Sequence, residues 1–268
     1  FRWDLSVNYT KNVNRVEELD PGNKELVLVA QGLTPGLKLV VGKPYGVFEA
    51  TQALKTADGK VVVGPDGIPL DDPDPVEIGS IQPDWYGGAT STFSYKGLSL
   101  GITMDTKQGG KVVSSTAAQL YFAGLAEETA FNDREEWIVP NSVVQTGTDD
   151  DGNPIYSPNS TPLTMYGGGN VRNYWSQIQG GSRNDAVLLD ASYLKLREVA
   201  LRYTIPTALI SKTPFKGITV GAVGRNLWLR TQGNNHFIDP EASAFGNGNA
   251  QGDEFLGIPP PVYYPLLK

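Results

Sequence analysis

Chemistry in this 268-residue chain would have to come from a short roster of side chains. There is one histidine, His236, set between Asn235 and Phe237, and there is no cysteine. The missing thiols rule out a disulfide framework and a thiolate metal site. No G-x-S-x-G elbow leads into a helix, so the lone imidazole has no nucleophile to activate and reads as a surface-loop residue. Carboxylates are commoner: Glu127-Glu128, Glu135-Glu136 and Asp149–Asp151 lie close enough in sequence for acid–base work. Their setting is ordinary acidic loop sequence, so neither catalytic residues nor a cofactor is expected, and the chain is read as a non-enzyme.

Two further groups invite a ligand. Asp149, Asp151 and Asn153 place oxygen ligands two residues apart, which suits a hard cation. They lack the glycine at the sixth loop position and the distal bidentate glutamate of an EF-hand. Asp-Gly and Gly-Asn steps are also ordinary turn formers, so these three are weak metal candidates. The aromatic group is the stronger one. Tyr174 and Trp175 sit beside Asn170, Arg172 and Asn173, and Trp85 lies in another loop-like stretch. A flat ring with amides nearby can stack on and orient a sugar or a peptide, and loops are where such contacts concentrate. Gly167-Gly168-Gly169 has neither the lysine nor the strand–helix setting of a phosphate loop.

The elements that must position these residues are strands. With 31 glycines and 19 prolines the chain is punctuated for many short strands and long loops. A net charge of −7 leaves no basic stripe for nucleic acid. No run of eighteen apolar residues occurs, which excludes a membrane helix but not a membrane strand. Trp3, Leu5, Val7 and Tyr9 alternate with Asp4, Ser6, Asn8 and Thr10. Lys24–Gln31 and Leu37–Val41 carry continuous apolar runs and are expected to be buried on both faces. Asp58-Gly59 and Asp66-Gly67 bracket a small hairpin, and Lys96-Gly97 joins the best one, Thr90–Tyr95 to Leu98–Thr106. In its second strand Leu98, Leu100, Ile102 and Met104 face one way, and Ser99, Thr103 and Asp105 the other. In Ser192–Pro206 the apolar phase flips from Leu194 and Leu196 to Val199, Leu201 and Tyr203, which requires a β-bulge near Arg197-Glu198. Residues 108–190 are too many for a simple connection and form a long loop excursion, with a short helix expected within Ser114–Ala130 and Leu120, Phe122 and Leu125 on one face. Thr146–Pro162 reads as a loop or hairpin, Gly246–Gly252 as a loop, and Pro259–Pro261 as extended.

Several of these blocks, in this order, resemble the C-terminal barrel strands of SusC/RagA-like TonB-dependent outer-membrane transporters. They are Phe1–Leu19, Gly42–Phe48, Pro83–Gly88 with Phe93, Tyr95-Lys96 and Leu98, then Gln108–Gly110, the stretch Ser192–Pro206, Asn226-Leu227-Trp228 and Asp239-Pro240-Glu241. The match spans nearly the whole chain apart from roughly 111–190. It implies an all-β fold: antiparallel strands of a large outer-membrane β-barrel with long extracellular loops, residues 1–268 forming the C-terminal part without the plug or the last strand. The resemblance further implies residence in the cell outer membrane, in contact with its lipid. Import of glycans or peptides would proceed with a SusD-like surface lipoprotein, driven by the TonB complex through an N-terminal part. The same alternation would also serve a soluble β-sandwich acting as a carbohydrate-binding module, with its polar faces in water.

Overall fold

The structure, a computed structural model, describes residues 1–165, 170–242, 251–255 and 264–267. Gly167–Gly169, Pro259–Pro261 and most of Gly246–Gly252 therefore lie outside the described residues. In chain order the strands are β1 (Arg2–Thr10), β2 (Glu25–Val29), β3 (Gly36–Val40), β4 (Val47–Ala50), β5 (Val61–Val63), β6 (Val76–Ser80), β7 (Trp85–Tyr95) and β8 (Leu98–Gln108). After β9 (Lys111–Ser114) comes α1 (Ser115–Phe122), a 3-10 segment at Glu127–Arg134, β10 (Ser142–Thr148), β11 (Pro154–Pro158) and α2 (Val171–Ser176). Then follow β12 (Leu188–Asp190), β13 (Tyr193–Thr204), α3 (Thr207–Ile210), β14 (Thr219–Thr231), β15 (Asp253–Glu254) and β16 (Tyr264–Leu267).

The long strands form one antiparallel sheet in the order β1-β7-β8-β13-β14-β16. β7, β8, β13 and β14 run 11, 11, 12 and 13 residues. At about 3.3–3.4 Å per residue and a tilt of about 35–45°, strands of this length cover roughly 26–36 Å, which brackets the depth of a bilayer core. The apolar halves of their alternations fall on one face. One rung runs Trp3, Phe93, Leu100, Leu201 and Ala222; another runs Val7, Ala89, Met104, Leu196 and Trp228. This face is uncovered, with Val7 68% and Tyr9 64% exposed, and Leu201, Val220 and Trp228 close to half.

The buried core sits elsewhere, in the connections. Its three apolar clusters centre on Leu163, Trp175 and Ile178, on Leu37 and Phe48, and on Val112 and Leu189. They belong to a layer built from the long connections and the three smaller sheets β2-β3-β4-β6, β11-β10-β5 and β12-β9-β15. Those connections all leave the same end of the large sheet, marked by Thr10, Trp85, Gln108, Tyr193 and Thr231. The opposite end carries a two-residue turn, with Lys96 at φ 44° and Gly97 at φ 85°, and the short link through α3. Two successive positive φ values make a tight turn whose twist matches that of the strands. Short turns at one end and long connections at the other is the arrangement of outer-membrane barrels, whose long loops are extracellular.

Three expectations are adjusted in detail. The apolar run of β2 is not buried, since Leu26 and Val27 are about half exposed. β2 is the edge strand of its small sheet, so only the β3 side covers it. α1 buries Ala117, Ala118 and Tyr121, while Leu125 lies beyond its end and is 73% exposed. The first hairpin strand begins at Trp85, earlier than the alternation around Thr90 suggests. The extra residue required in β13 is present: the register shifts between Leu196 and Glu198 against both neighbours.

Candidate functional site

The bulge explains what the polar face presents near the mouth of the sheet. Two residues oppose one partner there, so Arg197 and Glu198 point inward together while Leu196 and Val199 stay outward. Lys195 stands opposite Asp105 on the same face. The loop after β14 folds back over them. Lys195 donates to both carboxylate oxygens of Asp239, at 2.7 and 2.8 Å, and also to Glu241. Arg197 grips Asp105 with two bonds of 2.7 Å and Glu241 with two more of 2.8 and 2.6 Å. The Tyr193 hydroxyl donates to Glu241 Oε1 at 2.8 Å. Lys195 is 3% and Asp239 8% exposed, so the pair is buried and mutually compensated. Burial alone would push the Glu241 carboxyl up, but the bonds from Arg197, Lys195 and Tyr193 hold it down at about 2. Asp239 Oδ1 also accepts the Glu241 N–H at 3.0 Å, closing the turn through Pro240.

A register change in β14 meets this bulge. Leu196 pairs with Trp228 and Glu198 with Arg225, leaving Asn226 and Leu227 as the insertion. Asn226 takes φ 49°, a left-handed conformation that asparagine tolerates better than most side chains. Arg225 then reaches Glu198 at 3.0 Å across the polar face.

The aromatic candidates lie in the outer layer. Arg172 and Trp175 line a cavity of about 390 Å3 with Tyr121, Phe122, Arg134 and Met165. The Arg172 guanidinium sits 5.3 Å from the Phe122 ring centre. Tyr174 is packed edge-on between Trp137 and Trp175, at 4.8 and 5.2 Å, and Arg183 lies over both Tyr174 and Trp175 at 4.3 and 4.5 Å. Asn170 is occupied in fixing backbone: its Oδ1 accepts the Thr164 N–H at 2.6 Å and its amide donates to the Asp66 carbonyl. Asn173 is exposed on α2. Trp85 is separate from these five. It lies on the outward face, 5.6 Å from Tyr9, with its ring over Gly87, whose Cβ would come within 2.8 Å. Asp149 spends its carboxylate on its own turn, accepting the N–H groups of Asp151 and Asn153 at 3.0 and 2.7 Å and the Asn153 amide at 3.0 Å. Among the described residues no three His, Cys, Asp or Glu side chains are grouped to hold an ion.

The inward-facing network was not among the residues picked out as a site. Its signal was present, since Lys195-Leu196-Arg197 and Asp239-Pro240-Glu241 are both blocks of the family resemblance, but sequence alone does not say that they touch.

No family model matches the chain. It is 29% identical to TonB-dependent receptor P26 of Formosa agariphila over 278 residues, covering 94% of the chain and 25% of the receptor. It is 21% identical to TonB-dependent receptor P3 of the same organism, covering 96% and 25%. Among solved structures it is similar to the RagAB peptide transporter, with TM-score 0.56 and 18% identity, over 94% of this chain and 25% of that one. The open-open state of the RagAB peptide importer gives TM-score 0.56 and 20% identity, with the same coverage. The chain therefore spans about a quarter of the length of the proteins it matches. The resemblance to TonB-dependent receptors is borne out, as are the all-β class and outer-membrane localisation.

Proposed function

We propose that this chain supplies C-terminal barrel wall and extracellular loops to an outer-membrane, TonB-dependent importer of glycans or peptides, working with a SusD-like lipoprotein lid. The observation that carries the reading is the inverted burial: a broad apolar sheet face is left bare while the core lies in connections at one end. A soluble sandwich would cover that face with a second sheet at about 10 Å. Exposed apolar patches beyond a few hundred Å2 mark a surface meant for contact, here with lipid. Tyr9 and Trp85 near the loop end, and Trp3 and Phe93 stacked at 6.0 Å near the turn end, stand at the two levels where barrel girdles meet the headgroups.

In this reading the outer layer meets both lid and cargo, and the cavity beside Arg172 and Trp175 is a cargo contact. TonB would act through the plug of the whole protein. The test is fractionation of the full-length protein from its native cells. Recovery in the outer membrane, soluble only in detergent and together with a SusD-like lipoprotein, is expected. A native protein that dissolves without detergent overturns the reading.

A further inference from the structure

A second cavity, again of about 390 Å3, opens at the mouth of the polar face beside the ion network. Its walls include Tyr86, Lys107, Lys111, Tyr193, Glu241 and Gln251. Lys107, Tyr86 and Tyr193 share one rung of the sheet, and Lys111 follows on β9 after the Gly109-Gly110 bend. Lys111 is held in place by its stem, which crosses Gly79 so closely that a Cβ there would come within 3.3 Å of Lys111 Cγ.

The two lysines stand out because, among the described residues, no carboxylate closes on them. The charges of Glu241 and Asp190 act on Lys107, and Asp190 stands opposite Lys111 on β12, but neither carboxylate forms an ion pair with either lysine. Asp190 Oδ1 accepts the Ser192 N–H. Among the described residues only Lys38, Lys107, Lys111 and Lys195 are withdrawn from full exposure. Lys38 is met by Glu25 and Glu49, and Lys195 by Asp239 and Glu241. Lys107 and Lys111 form no ion pair among the described residues, and both line this one cavity. Glu241, the carboxylate on the same wall, is not available to them, because both its oxygens are occupied by Lys195, Arg197 and Tyr193. The undescribed stretches contain no aspartate or glutamate. A half-buried ammonium without a partner is costly, and a negative group brought in from outside removes the cost.

The geometry points to a carboxylate-binding site: Lys107 and Lys111 receive an anionic group of the cargo, from a uronic acid or an acidic peptide side chain, as it passes the mouth of the barrel. That the carboxylate belongs to cargo rests on the importer reading above. Its binding can be measured apart from that reading.

The experiment uses the full-length protein purified in detergent and two matched probe pairs, titrated by calorimetry. Tetragalacturonate is compared with its methyl ester, and tetraglutamate with tetraglutamine. The charged member of one pair should bind at least about tenfold more tightly, the value of one hydrogen bond to a charged group. Which pair does so distinguishes a glycan source from a peptide source. In Lys107→Gln/Lys111→Gln the preference should fall to within about twofold, and Lys107→Arg/Lys111→Arg should restore it. A wild-type measurement guards against misfolding of the variants. Reductive methylation of Lys107 and Lys111, read by mass spectrometry, should slow at least about fivefold with the charged probe, while exposed Lys96 reacts unchanged. No preference in either pair, a preference that survives the glutamine variant, or equal methylation with and without probe would overturn the site. Outer-membrane fractionation of the same wild-type protein tests the importer reading separately.

Discussion

Replacing Lys195 with alanine tests whether the buried ion network fastens the loop after β14 to the barrel wall. Lys195 and Asp239 have side chains only 4% and 5% exposed, and both oxygens of Asp239 bond the same ammonium. Without it Asp239 keeps a single donor, the Glu241 N–H, and becomes an uncompensated buried charge. Breaking a buried pair in this way costs about 3–5 kcal/mol, whereas an exposed pair is worth about 0.2–1 kcal/mol. Arg225 and Glu198 supply the exposed comparison on the same face, at 55% and 31%. Amide exchange of residues 235–241, with urea unfolding of the full-length protein folded in detergent, reads both effects. Lys195→Ala should accelerate exchange across the loop far more than Arg225→Ala. Lys195→Met/Asp239→Asn, which removes both charges, should recover at least about half of the loss. If Lys195→Ala costs no more than Arg225→Ala, the network does not fasten the loop to the wall.

Other expectations follow from the same geometry. The Glu241 carboxyl is held at about 2, below its ordinary 4.5, so its stabilisation is complete above pH 4.5 and is lost as the pH falls towards 2; protection of the 235–241 amides should fade across that window. Asp253 behaves oppositely: burial and then the charge of Glu254 raise it to about 6, and its Oδ1 has no partner. Its ionisation therefore opposes folding above about pH 6 and is relieved as pH falls towards 3.8, so Asp253→Asn should slow exchange around β15 and α1 by about 1–2 kcal/mol at pH 7. At Asn226, with φ 49°, glycine should be neutral within a few tenths of a kcal/mol, and valine should cost about 1–2 kcal/mol in urea unfolding. Arg172→Ala should weaken cargo binding at the outer cavity by about tenfold without lowering stability, while Trp175→Ala, at 7% exposure within the core, should cost about 3–5 kcal/mol.

The strands of the wall were legible because one face of each meets a uniform environment, so alternation survives in the sequence. Leu98, Leu100, Ile102 and Met104 read as they stand, and even the bulge announced itself when the apolar phase flipped across Arg197-Glu198. The outer layer was less legible because its contacts are non-local. The apolar run of β2 looked buried, yet whether a run has cover depends on which strand lies beside it, and β2 is an edge. Arg172 and Trp175 were found together because they are neighbours in sequence; Tyr121, Phe122 and Arg134, which complete their cavity, come from 38 or more residues away and carry no local sign of it. The network had the opposite fate. Its two halves stand out as family motifs, but the separation of 44 positions between Lys195 and Asp239 hides the bond between them.

That bond also says which residues the motifs serve. Lys195, Arg197, Asp239 and Glu241 spend their charges on one another, so they fix where the loop after β14 leaves the wall and are not free to select cargo. Asn226 does the same for β14 through its backbone. On the proposed reading, the residues left over for a ligand are Lys107 and Lys111 beside the network and Arg172, which with the buried Trp175 lines the cavity in the layer above. A motif of this kind can therefore recur among importers of different substrates, because what it specifies is the anchoring of the mouth. Exchanging the outer connections while keeping Lys195, Arg197, Asp105, Asp239 and Glu241 should change what is bound and leave the wall intact. Exchanging the network while keeping the connections should loosen the mouth whatever the cargo.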